Sequence, residues 1–131
     1  MPNNSNSHTP LRILVVEDNK DAADSLALLL RIHCGHTVDV AYSGLQALQI
    51  ANVHRPDVVL LDLGLPTLNG FQVAEELRAM PEAAAMVIIA ITGHSYPEAV
   101  EASTAAGIDM HLVKPVDIQH LLRYLSGRGL N

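Results

Sequence analysis

Short apolar segments alternate with helix-like segments five times along this chain, and this alternation limits the fold more than any other feature. Short apolar runs between helical segments are typical of strands in a parallel sheet that is buried on both faces. Every crossover in such a sheet should be right-handed, which leaves few topologies. We therefore predict a doubly wound (βα)5 α/β fold with strand order 2-1-3-4-5. The predicted strands are Leu11–Glu17, Thr37–Ala41, Asp57–Asp62, Met86–Ile91 and Met110–Lys114.

Capping residues and apolar spacing predict the helices. Each of three helix starts has a capping side chain followed three residues later by Gln or Glu, namely Ser43 with Gln46, Asn69 with Gln72 and Ser95 with Glu98. The helix from about Tyr96 to Ala106 has mainly small apolar residues, so we expect it to be the least firmly anchored. The predicted inner face of the first helix is Ala22, Leu26, Leu29, Leu30 and His33. That of the last helix is Ile118, Leu121, Leu122 and Leu125.

Length and composition narrow the class of protein. A chain of 131 residues fits one domain, which we place at residues 11–126 between a disordered arm (1–10) and a short tail (127–131). No apolar run approaches the roughly 20 residues needed to cross a bilayer, and no signal peptide is recognisable, so a cytoplasmic protein is expected. The net charge of −6 argues against direct binding to nucleic acid, and the single cysteine, Cys34, excludes an internal disulfide.

Charged side chains stand where three of the predicted strands end. Glu17 and Asp18 follow the first strand, Asp62 ends the third, and Lys114 ends the fifth. The carboxyl ends of parallel strands share one edge, which is where open α/β sheets bind ligands. Three crowded carboxylates repel one another unless a cation neutralises them, and oxygen-only ligands favour Mg2+, with Mn2+ as an alternative. Taken singly, each acid is better explained as a helix-start residue (Glu17, Asp18) or a turn residue (Asp62), and it is the set of three with a lysine that favours the cation site.

At these strand ends the chain resembles the receiver domain of two-component response regulators, from about Leu11 to Leu125. The matching segments are Val15-Val16-Glu17-Asp18-Asn19, Asp62-Leu63-Gly64-Leu65-Pro66-Thr67-Leu68-Asn69-Gly70, Ile91-Thr92-Gly93 and Leu112-Val113-Lys114-Pro115. The resemblance implies a flavodoxin-like three-layer sandwich. The segment from Asp109 to Pro115 and the Gly-Leu-Pro sequence after Asp62 are more similar to receivers attached to hybrid histidine kinases than to those attached to DNA-binding domains.

The resemblance implies a role for each of these residues. Asp62 would be the phosphoacceptor, receiving the phosphoryl group of a phosphohistidine on a histidine kinase or a histidine phosphotransfer protein. Asp18, Glu17, Asp62 and the backbone carbonyl of Gly64 would hold Mg2+. Lys114 would contact a phosphoryl oxygen, in a turn where the bond to Pro115 is usually cis. Such a protein catalyses its own phosphorylation and dephosphorylation but acts mainly as a signalling switch.

The resemblance also implies how the signal is transmitted. The hydroxyl of Thr92 would bind the phosphoryl group and move with a switch residue on the fifth strand. Many receivers have Tyr or Phe at that place, whereas this chain has His111, for which a switch residue and a surface histidine on an edge strand are both open interpretations. Gly64 and His94 occupy the positions that tune dephosphorylation. We expect no output domain after Asn131, and we therefore expect the surface of the predicted fourth helix and fifth strand to bind a downstream protein; regulated homodimerisation there is compatible with the sequence but is not predicted by it.

Three other functions remain as alternatives. A free-standing Mg2+-dependent phosphohydrolase that forms an aspartyl phosphate usually has a second acid two residues after its nucleophile, where this chain has Gly64. A flavin- or dinucleotide-binding module would need a phosphate-binding loop after the first strand, where Glu17 and Asp18 would instead repel phosphate. A degenerate receiver that is never phosphorylated is disfavoured because the full set of site residues is present.

Overall fold

The computed structural model describes residues 11–65, 69–81, 83–93 and 105–127. Five strands form one parallel sheet in the order β2-β1-β3-β4-β5, which confirms the predicted topology. The strands are β1 (Arg12–Val16), β2 (Thr37–Ala41), β3 (Val58–Asp62), β4 (Val87–Thr92) and β5 (Met110–Val113). The helices of the described residues are α1 (Lys20–Cys34), α2 (Gly44–His54), α3 (Gly70–Arg78) and α4 (Ile118–Gly127), with a 3-10 turn at Ala83–Ala85. Strand ends differ from the predicted ends by one residue at most.

Alternate residues of the central strands face two separate cores. On one face, Val59 and Leu61 of β3 pack with α2 and α3; on the other, Val58 and Leu60 pack with α1 and α4. All five residues of β3 are buried, as expected of a strand at the middle of a sheet that is covered on both sides. The edge strand β2 is more exposed, as its alternating sequence predicted.

The helix starts follow the predicted caps where they are described. Asn69 and Gln72 form a reciprocal capping box at α3. At α2 the Ser43 side chain accepts a hydrogen bond from the backbone of Gln46, but the Gln46 side chain bonds Tyr42 N rather than that of Ser43. Most of the predicted helix from Tyr96 to Ala106, including its Ser95 cap, lies outside the described residues.

The predicted inner face of α1 was wrong in part. Ala23, Ala27 and Leu30 are the buried residues of this helix, whereas Ala22 and Leu29 are exposed. Ala23, Ala27 and Leu30 pack in the core beneath the helix, Leu26 packs partly buried against that core, and Leu29 lies outside it. The α4 prediction was correct, since Leu121 and Leu125 are buried and Ile118 and Leu122 are partly buried.

Candidate phosphoacceptor site at the carboxyl edge of the sheet

Three strands bring the predicted charged residues to one edge. Asp62 is the last residue of β3, and Glu17 and Lys114 directly follow β1 and β5. Backbone hydrogen bonds extend the ladder beyond the strands, from Glu17 N to Ala41 O (3.0 Å) and from Lys114 N to Thr92 O (2.7 Å). The backbone beneath the site is therefore held by the sheet itself, which limits how far these side chains can separate.

Lys114 bridges the two buried carboxylates. Its Nζ lies 2.9 Å from Glu17 Oε1 and 3.3 Å from Asp62 Oδ2. The remaining oxygens accept backbone hydrogen bonds, Glu17 Oε2 from Asn19 N at 3.1 Å and Asp62 Oδ1 from Gly64 N at 2.8 Å. Each carboxylate thus has one oxygen fixed by the backbone and one facing the ammonium group. The peptide bond between Lys114 and Pro115 is cis.

Asp18 completes an acidic cluster. One carboxylate oxygen each of Glu17, Asp18 and Asp62 lie within 4.8 Å of one another. Glu17 and Asp62 are buried, and Asp18 is exposed to solvent. The lysine pairs with two of the three acids, which leaves the cluster with excess negative charge. A cluster with only oxygen donors fits a hard divalent cation such as Mg2+.

The pKa shifts of Glu17 and Lys114 are consistent with this excess of negative charge. Burial raises the pKa of Glu17 above its usual value, Lys114 and the Asn19 backbone oppose the rise, and the neighbouring Asp62 adds to it. For Lys114, burial disfavours the charged form, yet the hydrogen bond to Glu17 and the charges of both acids prevail and raise its pKa. The lysine therefore remains an ammonium at neutral pH, and the cluster accommodates further positive charge.

The predicted switch residues Thr92 and His111 lie on strands β4 and β5. Thr92, half-buried, ends β4 one residue after Ile91, which pairs with Asp62. His111 pairs with Ala90, and Ala90 lies two residues before Thr92 on β4. The side chains of His111 and Thr92 therefore share one face of the sheet. Burial lowers the pKa of His111. His94 lies outside the described residues. The structure thus brings Glu17, Asp18, Asp62 and Lys114 together, with Gly64 bonded to Asp62 and Thr92 on the adjacent strand.

Two features of the site were not predicted from the sequence. Asn19 both caps α1, accepting from Ala22 N at 3.0 Å, and donates to Glu17; an Asn directly before a helix was the available signal. A largely apolar groove of about 500 Å3 also runs from Glu17 and Lys114 along the side of α1, past Leu26 and Leu29. The sequence feature that could have predicted this groove is the apolar stripe of α1, which we had assigned to the core.

Comparison with known proteins places this geometry in a family. The family model for the response regulator receiver domain matches residues 13–126. The chain belongs to the response regulator receiver domain family. Receiver domains of two-component signalling interact with histidine kinases or phosphotransfer proteins. The family match favours a signalling receiver over the phosphohydrolase and the flavin-binding alternatives.

Relatives of this receiver domain differ in length. A response regulator receiver protein of Anaeromyxobacter sp. (strain Fw109-5) is 40% identical over 112 residues, which are 85% of this chain and 45% of the relative. The chain thus spans about half the length of the first curated relatives it matches. Protein PilH of Pseudomonas aeruginosa is 34% identical over 115 residues, which are 88% of this chain and 94% of that protein.

Solved receiver structures have the same fold. Chemotaxis protein CheY4 of Vibrio cholerae superposes with a TM-score of 0.85 at 27% identity, covering 91% of this chain and 98% of that one. The receiver domain of sensor histidine kinase PA1611 from P. aeruginosa PAO1, solved with a magnesium ion coordinated in its active site cleft, has a TM-score of 0.80 at 32% identity, with 91% and 97% coverage. Attachment of this chain to a hybrid kinase stays a prediction. Among the described residues, none of the helices is long and apolar enough to cross a membrane.

Proposed function

We propose that this receiver domain accepts a phosphoryl group on Asp62 from the phosphohistidine of a histidine kinase or a phosphotransfer protein, in a cytoplasmic phosphorelay. The observation that carries the proposal is the position of Asp62. It is a buried carboxylate at the end of the central strand β3, between the Gly64 N–H and the Lys114 ammonium group. Two further acids lie within 4.8 Å.

The reaction is a transfer between two nucleophiles. A carboxylate oxygen of Asp62 attacks phosphorus, the bond from phosphorus to the imidazole nitrogen breaks, and the imidazole leaves with the bonding electron pair and takes up a proton. The Lys114 Nζ is 3.3 Å from Asp62 Oδ2, and from there its positive charge would stabilise the negative charge that develops on the phosphoryl oxygens. Because the lysine charge is carried on a flexible side chain, the ammonium group could move from Glu17 to the phosphoryl oxygens.

The acidic cluster fits Mg2+, with Mn2+ as an alternative. Asp18 and Asp62 would hold the ion directly, Glu17 largely through water, and the Gly64 carbonyl would be a further ligand. When bound, the ion would neutralise charge on the transferring phosphoryl group. The magnesium ion coordinated in the active site cleft of the PA1611 receiver supports this assignment.

The groove beside α1 is our proposed docking surface for the phosphodonor. It is continuous with the site, because Glu17 and Lys114 form one end of it. A protein that delivers a phosphohistidine to Asp62 would therefore lie next to the apolar surface of Leu26 and Leu29, which we propose it covers. Leu29 is 41% exposed in the free chain, so covering it would contribute to binding.

Transmission of the signal would begin at Thr92. Its hydroxyl would bind the phosphoryl group, and the side chain of His111 on β5 would move with Thr92. The surface of β5 and the predicted helix from Tyr96 to Ala106 would then bind a downstream protein or a second copy of this chain. The absence of a side chain at Gly64, together with His94, would set the lifetime of the phosphorylated state.

Phosphorylation with a small donor tests the proposal. The protein is incubated with Mg2+ and acetyl phosphate, and its intact mass is measured. We expect a phosphoryl adduct on the wild type and on Asp21→Asn, a matched change of an exposed acid on α1, but none on Asp62→Asn. An unchanged wild-type mass, with Mg2+ binding shown by calorimetry, would contradict the proposed chemistry.

A further inference from the structure

The turn after Asp62 is held from two directions. Leu63 N donates to Ile91 O at 3.1 Å, which continues the β3–β4 ladder one residue beyond Asp62. Gly64 N then donates to Asp62 Oδ1 at 2.8 Å, so the turn bonds one oxygen of the carboxylate. The position of this backbone therefore fixes the direction in which the Asp62 carboxylate points.

The first turn of α3 contacts this same backbone. The capping box of Asn69 and Gln72 fixes the start of the helix, through bonds of 3.0 Å and 3.2 Å. Gly70, the first helical residue, directs its N–H at Leu63 O at 3.4 Å. A Cβ atom on Gly70 would lie 2.5 Å from Leu63 Cα, 2.7 Å from Leu63 Cδ2 and 2.9 Å from Asp62 O.

Space, and not backbone conformation, requires glycine at this position. Gly70 lies in a right-handed helix, and its φ is outside the left-handed region that favours glycine. An alanine here would have an ordinary helical backbone. Two of the three close atoms belong to the backbone of Asp62 and Leu63, so a side chain could be accommodated only if the turn or the helix moved.

We propose that Gly70 is a positioning residue for phosphotransfer, which lets α3 press directly against the peptide after Asp62 and so sets the direction of its carboxylate. The proposal rests on the proposed function of Asp62. Gly70 itself touches no reacting atom. A displacement of about 1 Å at the turn can slow such a reaction by orders of magnitude, since phosphoryl transfer depends on positioning.

The test compares Gly70→Ala with Gly127→Ala, a helical glycine whose added Cβ would meet nothing within 4 Å. The phosphorylation rate is measured at saturating Mg2+ and acetyl phosphate, at a temperature where circular dichroism shows each variant fully folded. The amide resonance of Gly64 is recorded by NMR without Mg2+ or donor, as a direct report on its bond to Asp62. A purely structural role would lower the melting temperature but leave the rate of the folded protein unchanged.

We expect Gly70→Ala to lower the saturated rate by at least about tenfold and to shift the Gly64 amide resonance, with Gly127→Ala like wild type. A folded Gly70→Ala protein with a wild-type Gly64 resonance, or with a rate within twofold of wild type, would overturn the proposal. If wild type itself is not phosphorylated, the proposed function fails, and the Gly64 resonance alone decides the role of Gly70.

A second pair of variants covers the case in which Gly70→Ala does not fold. Asn69→Ala removes the cap of α3 without adding atoms, and Ser43→Ala removes the corresponding cap of α2. We expect Asn69→Ala to slow phosphorylation by more than about twofold and Ser43→Ala to leave it unchanged. Equal rates for the two variants would count against the positioning role.

Discussion

Arg78 at the end of α3 should be among the most destabilising positions to change outside the site. Its five N–H groups make five hydrogen bonds to backbone and side-chain oxygens around the start of β4 and the turn before β5. The bonds are Nε to Gly107 O (3.2 Å), Nη1 to Ala83 O (2.8 Å) and Met86 O (2.7 Å), and Nη2 to Gly107 O (2.6 Å) and Asp109 Oδ2 (2.9 Å).

The magnitude follows from this geometry. Each bond contributes about 0.5–1.5 kcal/mol net, and a buried acceptor left without a partner costs more. The guanidinium side chain is 25% exposed, so water can replace part of what is lost. Because Asp109 Oδ2 also accepts from Ile88 N at 2.8 Å, it keeps one partner when Arg78 is removed. We therefore expect Arg78→Met, which keeps the apolar stem, to lower the free energy of unfolding by about 2–4 kcal/mol.

Chemical and thermal denaturation followed by far-ultraviolet circular dichroism measure this loss. For a domain of this size the expected decrease in melting temperature is about 10 °C. Arg78→Lys keeps the charge but not the planar fork, so its loss should be intermediate. Arg123→Met, at an exposed position of α4, is the matched control and should stay within about 0.5 kcal/mol of wild type. A loss below about 1 kcal/mol for Arg78→Met would refute the reasoning, because the five bonds would then be fully replaced by water.

Two further predictions concern the site and its surroundings. Because burial lowers the pKa of His111 below 6.5, protonation favours the unfolded chain, and stability should fall as the pH drops through 6.5 toward the lowered value. His111→Gln should lessen that dependence, and an NMR titration midpoint for His111 at or above 6.5 would show the sign to be wrong. Asp18 is exposed, so Asp18→Asn should leave the metal-free melting temperature nearly unchanged but abolish the increase that saturating Mg2+ gives wild type. An equal Mg2+-dependent increase in both proteins would remove Asp18 from the metal site.

Local patterns in the sequence were enough to predict the strands, their order and the meeting of the charged residues. The apolar runs of β3 and β4 are short and continuous, which is typical of strands that are buried on both faces of a sheet. Right-handed crossovers then leave few possible topologies. Once Glu17, Asp62 and Lys114 were assigned to strand ends, their position at one edge of the sheet followed from the topology. The capping box at Asn69 was likewise predictable, because its bonds join residues three apart.

The tertiary structure decided what depends on contacts between distant segments. Which stripe of α1 faces the sheet was decided by close packing of Ala23 and Ala27, since several neighbouring stripes of that helix are apolar. The pairing of Lys114 with Glu17 and the crowding of Gly70 against Leu63 depend on distances that residue spacing does not contain. The sequence by itself thus determined the fold and which charged residues meet at the carboxyl edge of the sheet. The three-dimensional packing decided how the Asp62 carboxylate is oriented, because orientation depends on contacts of a few ångströms between separate elements.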